Sequence, residues 1–357
     1  MSRAPRLLVV AGGTGGHVYP ALAVANQLRQ EGVQVSWLGT HRGLEARVVP
    51  ANDIPMHWVS VEGLRGKGAL TLMLAPFKLV RALWQSMRAI RRINPDCVLG
   101  MGGFVAGPGG LMARLLGRPL IVHEQNAVAG LTNKYLAKVA TRVLTGFPEV
   151  QDLPADALWV GNPVRESIKP TAESDALEYK KLRVLIIGGS QGAYSFNTKL
   201  PAVLSGLQDL EMEIWHQSGK GNAADVKANY AAQSLRAKVS EFIDDMAAAY
   251  RWADVLICRA GAMTVAECCA AGKPALLIPY PFSAGDHQVK NAEAMVAAGG
   301  ARMLLNEQID QAEMVTTLRE MLSSHGDLRA MGQRAQTLHK PDALKDVVAV
   351  CREYLNA

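Results

Sequence analysis

The sequence predicts an α/β protein of two domains, each a parallel sheet covered by helices. Three observations carry that prediction. Leu8-Val-Val-Ala-Gly-Gly-Thr-Gly-Gly16 returns 176 positions later as Val184-Leu-Ile-Ile-Gly-Gly-Ser-Gln-Gly192, four apolar residues that break into glycines and a hydroxyl residue before a helix-like stretch. Asp96-Cys-Val-Leu-Gly-Met-Gly-Gly103 leads to Leu116-Gly-Arg-Pro-Leu-Ile-Val122, and Asp254-Val-Leu-Ile-Cys-Arg-Ala-Gly261 leads to Ala271-Gly-Lys-Pro-Ala-Leu-Leu-Ile278, so both halves repeat strand, glycine turn, helix and strand. A chain of 357 residues is also long for one core and comfortable for two.

Taken in order, Leu7 to Val10 reads as a strand, Pro20 to Arg29 as a helix ended by Gly32, and Gln34 to Leu38 as the next strand. Pro20 is placed in the first helical turn, where its missing N–H costs nothing. The alternation runs to residue 145 and implies a parallel sheet. From Phe147 to Lys181 it dissolves into polar residues with Pro148, Pro154, Pro163 and Pro170, which puts the domain boundary there. A second α/β domain runs from Leu182 to about Leu338. In the closing segment, Pro341 to Ala357, the residues Leu344, Val348, Cys351 and Leu355 make one apolar stripe at helical spacing. That helix must cap its own domain or cross back to the first.

The glycine turns carry the functional argument. Without a Cβ, glycine lets backbone N–H groups approach an anion, and the helix that follows aims its partial positive end at the same place. Two such turns point to an enzyme for nucleotide-linked substrates. Gly12-Gly-Thr-Gly-Gly-His17 lacks the glycine spacing of a dinucleotide fingerprint and the GK[ST] of a P-loop, so hydride transfer is a poor match. His17 stands where the loop meets a helix N-terminus, whose dipole disfavours a protonated ring. That suits a neutral imidazole taking a proton near neutral pH, and a hydrogen bond within the loop or to a phosphate is the bland alternative. In the second half, Ala262-Met-Thr-Val-Ala-Glu267 follows Gly261 directly, so its first amides can meet a diphosphate while Glu267 offers two acceptor oxygens to a ribose diol. Arg165, in Gly161-Asn-Pro-Val-Arg165, can stabilise charge on a departing diphosphate. No Asp lies two residues from another, so the carboxylate pair that holds a metal in many nucleotide-sugar enzymes is missing, and Asp244-Asp245 reads as a helix N-cap.

Composition excludes other classes. Hydrophobic residues make up 49% and charged residues 20%, an ordinary globular interior. The net charge of +6 is unevenly shared: residues 1 to 163 hold 17 Lys and Arg against 9 Asp and Glu, and the remainder 21 against 23. A basic half suits nucleic acid or an anionic membrane. No RNA-binding aromatic motif, zinc spacing or helix-turn-helix cue is present, which leaves nucleic acid behind. Five cysteines without CxxC spacing argue against a disulfide framework or zinc site and for a reducing compartment, with Cys268-Cys269 packed in a core. Leu7 to Ala11 is too short for a signal peptide, and no uncharged apolar run of about 18 residues spans a membrane.

One stretch fits the membrane alternative. Between Arg65 and Arg92 stand seven basic residues, Arg65, Lys67, Lys78, Arg81, Arg88, Arg91 and Arg92, and no acid. Leu70, Leu72, Met73, Leu74, Phe77, Leu79, Val80, Leu83 and Trp84 lie among them, a pattern suited to a headgroup interface. An amphipathic helix packed on the sheet through Leu79, Leu83, Met87 and Ile90 is the plainer account, and both can hold.

Taken together, GGTGGHVYPALA (12–23), GLRGKG (63–68), VLGMGGFVAGPGG (98–110), HEQNAVAGLTNK (123–134), GNPVR (161–165), GGSQGA (188–193), WHQSGKG (215–221), EFIDDMAAAY (241–250) and the helix start at Ala262 resemble one family over essentially the whole chain. It is the MurG family, the UDP-N-acetylglucosamine:lipid I N-acetylglucosaminyltransferases of bacterial peptidoglycan synthesis, in glycosyltransferase family 28. The resemblance implies a GT-B fold, two Rossmann-like domains with parallel sheets flanking a deep cleft. It implies residues 1–163 as the acceptor and membrane-facing domain, with helix 341–357 packing back on it, and residues 164–340 as the donor domain.

The implied reaction moves N-acetylglucosamine from UDP to the 4-hydroxyl of the N-acetylmuramyl group of lipid I, inverting the anomeric centre and giving lipid II for cell-wall growth, shape and division. Carried over residue by residue, Ile243 meets the uracil through its backbone, Glu267 the ribose, and Ser190 with the amides of Ala262, Met263 and Thr264 the diphosphate, with Val265 and Ala266 of the same helix start also at the substrate. Gln288 holds the sugar hydroxyls, and Thr14, Gly15, Gly16, Asn126 and Arg165 complete the site. His17 is the first choice as general base and Glu124 the second. Phe104 stands where relatives often carry tyrosine, so no hydroxyl chemistry belongs there. The lipid acceptor strengthens the interfacial reading of Leu72, Leu74, Phe77, Leu79, Trp84, Arg88, Arg91 and Arg92. The implied setting is peripheral, on the anionic cytoplasmic leaflet of the inner membrane, with UDP-GlcNAc and lipid I as substrates, other cell-wall synthesis proteins as partners, and neither cofactor nor metal. A GT-B epimerase or hydrolase without a lipid acceptor is the alternative enzyme, and a nucleotide-sugar sensor at the membrane the non-catalytic one.

Overall fold

The computed structural model describes residues 3–62, 73–170, 181–189, 192–309 and 312–355. The chain divides into two units, Met1–Pro163 with Lys340–Ala357, and Val164–His339. Each unit is a parallel sheet with helices on both faces, the arrangement that near-continuous apolar strands require because neither face meets water.

In the first unit seven strands run β1 (Arg6–Ala11), β2 (Gln34–Gly39), β3 (Met56–Trp58), β4 (Cys97–Gly102), β5 (Leu120–Glu124), β6 (Arg142–Thr145) and β7 (Leu158–Trp159) along the chain. Their order across the sheet is β3-β2-β1-β4-β5-β6-β7, so the chain reverses direction between β1 and β4, the switch point where open sheets of this kind hold ligands. Alternation along β1 sends Leu7, Val9 and Ala11 to one face and Leu8 and Val10 to the other. The first face is covered by helix Gly15–Gln30 and by the C-terminal helix Ala343–Leu355. Val347, Val348, Cys351 and Leu355 of that last helix complete this core, and Arg352 Nε donates to Glu31 Oε2 at 2.8 Å. Full burial of each Val or Leu there is worth about 1.5–3 kcal/mol.

Two local expectations are corrected. The first helix begins at Gly15, not near Pro20, because the strand ends in glycines and Thr14 takes the extended N-cap position. Pro20 therefore lies inside the helix and leaves the Gly16 carbonyl without its usual i+4 donor. Helix Ala75–Ile93 buries Ala82, Ser86, Ile90 and Ile93 against the other face of the sheet, whereas Leu79 is exposed. Leu79 shares the angular position of that buried stripe, but the packing begins only at Ala82, and residues 76–81 ahead of it are all exposed.

In the second unit the strands are β8 (Leu182–Ile187), β9 (Met212–Gln217), β10 (Ala237–Ser240), β11 (Val255–Cys258), β12 (Ala275–Leu277) and β13 (Ala301–Met303), ordered β10-β9-β8-β11-β12-β13. The duplicated motif thus becomes an interior strand, third in order, of each sheet, and the Asp96 and Asp254 segments supply the neighbour beyond the switch point. The core holds Val184, Ile186, Phe196, Leu200, Ile214 and Ile257, among others.

Candidate active site

In the first unit the ends of β1 and β4 meet. Their register shifts between Val10 and Ala11, so that Ala11 pairs with Gly102. Gly103 has φ +82°, and a Cβ there would stand 2.2 Å from the Gly12 carbonyl oxygen, so only glycine allows the two turns to touch. Gly102 has φ +101°, and a Cβ on it would meet the His17 ring at 2.9 Å. The imidazole therefore rests against bare backbone. Glu45, fully buried, braces the loop: Gly13 N–H donates to it at 3.0 Å, Thr40 N–H at 2.9 Å and Thr40 Oγ at 2.8 Å. No feature of the sequence around Glu45 marked it for this role.

His17 Nδ1 lies 2.9 Å from Gln125 Oε1. Gln125 Nε2 lies 3.1 Å from both His123 Nδ1 and the His123 carbonyl oxygen, and His123 Nε2 lies 2.9 Å from the Gly161 carbonyl oxygen. Gln125 and His123 are buried, and burial pushes the His123 pKa below its ordinary value, keeping that ring neutral. Neither residue was singled out from the sequence, where they appear only within HEQNAVAGLTNK.

Glu124 is placed differently from a free base. Its Oε1 accepts from the Asn126 backbone N–H at 2.9 Å and Asn126 Nδ2 at 3.0 Å, and its Oε2 from Gly130 N–H at 3.0 Å and Asn133 Nδ2 at 2.9 Å. Four donors fill the lone pairs of a buried carboxylate. Its work is to hold the turn that carries Asn126, and the proton-acceptor role weighed for it loses its geometric basis.

In the second unit the loop after β8 turns at Gly189, φ +85°, and Gly192, φ +73°, and Gly192 N–H donates to the Gly189 carbonyl at 2.9 Å. Ser190, expected at the diphosphate, lies outside the described residues, as does Leu72 of the interfacial set. Helix Ala262–Ala271 starts behind Gly261, which has no capping side chain. The first amide closed onto the helix is that of Val265, to Gly261 O at 2.9 Å. The amides of Ala262, Met263 and Thr264 precede it and have no acceptor within the helix, which makes a ready anion site. The Val265 N–H is used within the helix, and Ala266 lies one residue deeper, so the open amides are the three expected at the diphosphate.

Glu267 is one turn further along. The buried Tyr250 hydroxyl donates to its Oε2 at 3.1 Å. Burial raises the Glu267 pKa, against the pull of the Arg165 charge and the Tyr250 bond, so this carboxylate is not a solvated helix residue, and Arg165 stands close enough for its charge to be felt there. Tyr250 was a partner the sequence left unassigned. Gln288 Oε1 accepts from Ala260 N–H at 3.2 Å and Tyr280 N–H at 2.9 Å, which fixes its amide and leaves its N–H2 as the donor end. Ile243 is buried in the loop before helix Met246–Trp252, and Asp245 caps that helix by accepting from Ala248 N–H at 2.9 Å. The five cysteines are buried and unpaired. Among the described residues no cluster of His, Cys, Asp and Glu could hold a metal ion, and no helix is long and apolar enough to cross a membrane.

The model of the glycosyltransferase family 28 N-terminal domain matches residues 7–145, and that of the family 28 C-terminal domain matches residues 183–347. The chain belongs to glycosyltransferase family 28. This family 28 chain is 47% identical over 351 residues to the UDP-N-acetylglucosamine–N-acetylmuramyl-(pentapeptide) pyrophosphoryl-undecaprenol N-acetylglucosamine transferase of Stutzerimonas stutzeri (strain A1501), across 98% of this chain and 99% of that protein. It superimposes on the crystal structure of Acinetobacter baumannii MurG with a TM-score of 0.86 at 39% identity, over 98% of this chain and 99% of that one. A putative UDP-N-acetylglucosamine 2-epimerase from Listeria monocytogenes gives a TM-score of 0.66 at 14% identity, over 99% of this chain and 97% of that one, a likeness of fold alone. The epimerase alternative gains nothing from it. Each of the two family 28 domains carries one copy of the glycine loop.

Proposed function

We propose that the chain transfers N-acetylglucosamine from UDP-N-acetylglucosamine to the 4-hydroxyl of the N-acetylmuramyl group of lipid I, releasing UDP and giving lipid II. The observation that carries this is the 47% identity, over nearly all of both chains, to a transferase whose name states that donor and acceptor. The epimerase, hydrolase and sensor readings have no comparable support.

In the mechanism we assign, the first unit handles the acceptor and the second the donor. His17 Nε2 takes the proton of the acceptor hydroxyl as that oxygen bonds to the anomeric carbon. The bond from this carbon to the UDP oxygen breaks, and its electron pair leaves with the diphosphate. Attack from the face opposite the leaving group inverts the centre. The unbonded amides of Ala262, Met263 and Thr264, with Ser190 and Arg165, receive the diphosphate charge, the role that preorganised donors fill most effectively. Glu267 accepts from the ribose, Ile243 meets the uracil, and the Gln288 N–H2 faces sugar hydroxyls. Thr14, Gly15 and Gly16 end the first loop at a helix start, which suits the acceptor's own diphosphate. We choose His17 over Glu124 because the four donors on Glu124 leave it no lone pair to offer.

We further assign a peripheral position on the anionic cytoplasmic leaflet of the inner membrane. Met73, Phe77, Val80 and Trp84 are exposed on the side of their helix opposite the buried stripe, and Arg88 and Arg91 continue the same line. Arg88 stacks over the Trp84 ring at 5.6 Å.

The deciding experiment is transfer from UDP-N-acetylglucosamine to lipid I by parent and His17→Ala enzymes. We expect the variant to bind UDP nearly as the parent does and to turn over about 100- to 10,000-fold more slowly. No lipid II from the parent would refute the reaction, and equal turnover by the variant would remove His17 as the base.

A further inference from the structure

The polar chain behind His17 has only one consistent set of protons, because carbonyl oxygens stand at fixed places in it. Gln125 has one end 3.1 Å from the His123 carbonyl oxygen, an atom that can only accept, so that end is the amide N–H2. Its other end, Oε1, then faces His17 Nδ1 at 2.9 Å and can only accept, so Nδ1 carries the proton and Nε2 keeps a lone pair. The same N–H2 faces His123 Nδ1 at 3.1 Å, which must therefore accept, and the His123 proton sits on Nε2, donating to the Gly161 carbonyl at 2.9 Å. Asn162 Nδ2 donates to the Gln125 carbonyl at 3.0 Å and ties the same segment from the other side.

We infer that Gln125 and His123 are positioning residues that lock His17 in the Nδ1–H tautomer, presenting Nε2 as the proton acceptor of the transfer reaction, with the Gly161 carbonyl as the fixed end of the chain. The inference rests on His17 as the general base. It adds what selects the reactive nitrogen: a neutral amide where a Ser-His-Asp triad uses a carboxylate. An amide orients the ring as a carboxylate does, and its oxygen dipole supports the imidazolium formed when the proton is taken, without placing a full negative charge beside it. His123 contributes from further back, since its buried, neutral ring accepts only at Nδ1 and so holds the Gln125 N–H2 away from His17.

The test uses the full-length enzyme labelled with nitrogen-15 in histidine, with signals assigned by His17→Ala and by His123→Asn. The expected spectrum shows His17 protonated at Nδ1 and His123 protonated at Nε2. A His17 signal of the opposite tautomer overturns the proposal. Kinetically, Gln125→Leu should lower kcat about 100-fold with KM for UDP-N-acetylglucosamine little changed. Gln125→Glu should lower turnover, because its second oxygen replaces the N–H2 that serves the His123 carbonyl and Nδ1, and should move the acid limb of the kcat/KM profile to higher pH by about one unit, because a carboxylate at His17 Nδ1 favours the protonated ring. An unchanged profile in that variant, or an unchanged kcat in a folded Gln125→Leu enzyme, also overturns it. If Gln125→Leu fails to fold, the parent spectrum and the Gln125→Glu profile decide. If His17→Ala leaves transfer intact, the base assignment fails by itself while the tautomer measurement still stands, so the two failures are separable.

Discussion

The outward stripe of helix Ala75–Ile93 can be dissected into a charge part and an apolar part with separate magnitudes. Reversing Arg88, Arg91 and Arg92 to Glu removes three cations, each worth about 1 kcal/mol near an anionic leaflet, so the partition coefficient should fall by at least about 100-fold in low salt. Added repulsion from the new carboxylates increases the loss, and the whole difference should shrink as salt rises above about 0.15 M. Replacing Phe77 and Trp84 by Ser removes side chains that are 75% and 52% exposed. Burying an aromatic side chain fully is worth about 1.5–3 kcal/mol, so this pair should lose about 2–4 kcal/mol of binding with little dependence on salt. Both variants should fold, because the helix packs through Ala82, Ser86, Ile90 and Ile93. Arg92 gives an internal check: burial first, and then the Arg92 charge, depress the His57 pKa, so reversal should bring His57 back up. The assay is co-sedimentation with vesicles of phosphatidylglycerol in phosphatidylcholine. Partition equal to the parent in both variants refutes the interfacial role. Loss in the charge variant alone reduces the role to electrostatic contact without insertion.

Two further outcomes follow from buried titratable groups. Glu267→Ala should weaken UDP binding about 10- to 100-fold by calorimetry, the worth of a hydrogen bond to a charged group, and an unaltered dissociation constant removes the ribose assignment. Burial raises the Glu267 pKa above the ordinary 4.5, so the acceptor form is present above that raised value and UDP affinity should be lost as pH falls through it, earlier than for an exposed glutamate. His216, fully buried with Nδ1 3.0 Å from the Tyr230 hydroxyl, is depressed by burial from 6.5 to about 4. A neutral buried histidine contributes stability that is fully present above its unfolded value and is lost as pH falls toward the folded one, here about 3 kcal/mol between pH 6.5 and pH 4. Urea midpoints for the parent should fall across that window more steeply than for His216→Gln, and parallel curves would show that His216 is not responsible.

Strands β1 and β8 could be read from the sequence because each is a four- or five-residue apolar run broken by glycine, and in a parallel sheet covered on both faces such runs belong in the interior. The helix start at Gly15 was harder, since Pro20 looks like a first-turn residue and only the tertiary placement of the loop shows the helix beginning earlier. Helical spacing puts Leu79 in phase with the inward stripe of helix Ala75–Ile93, yet it is exposed because the helix meets the sheet only from Ala82 onward; spacing gives the face of a residue and not how far along the helix the contact runs. The braces of the first loop were invisible for a different reason. Glu45 and Gln125 act over separations of 32 and 108 residues, and nothing local distinguishes a carboxylate or an amide that holds a distant loop. Tyr250 is a similar case, 17 residues from the carboxylate it contacts.

What distinguishes the two copies of the duplicated motif is the partner turn as much as the loop itself. The first copy ends in His17, the second in Ala193. When the segments led by Asp96 and Asp254 are aligned, Gly102-Gly103 is matched by Ala260-Gly261, so only the first unit has a second glycine there. That glycine is the one whose Cβ would stand 2.9 Å from the His17 ring. A histidine at the loop end and a bare backbone beside it are therefore one feature written in two places, about 85 residues apart in sequence and in contact where β1 meets β4. The second unit lacks both halves of it. Its loop end is Ala193, a residue with no proton to exchange, in extended backbone at the start of helix Tyr194–Ser205. The repeated motif leads into a helix in both units, and the glycine at 102 makes room for one copy to hold a ring.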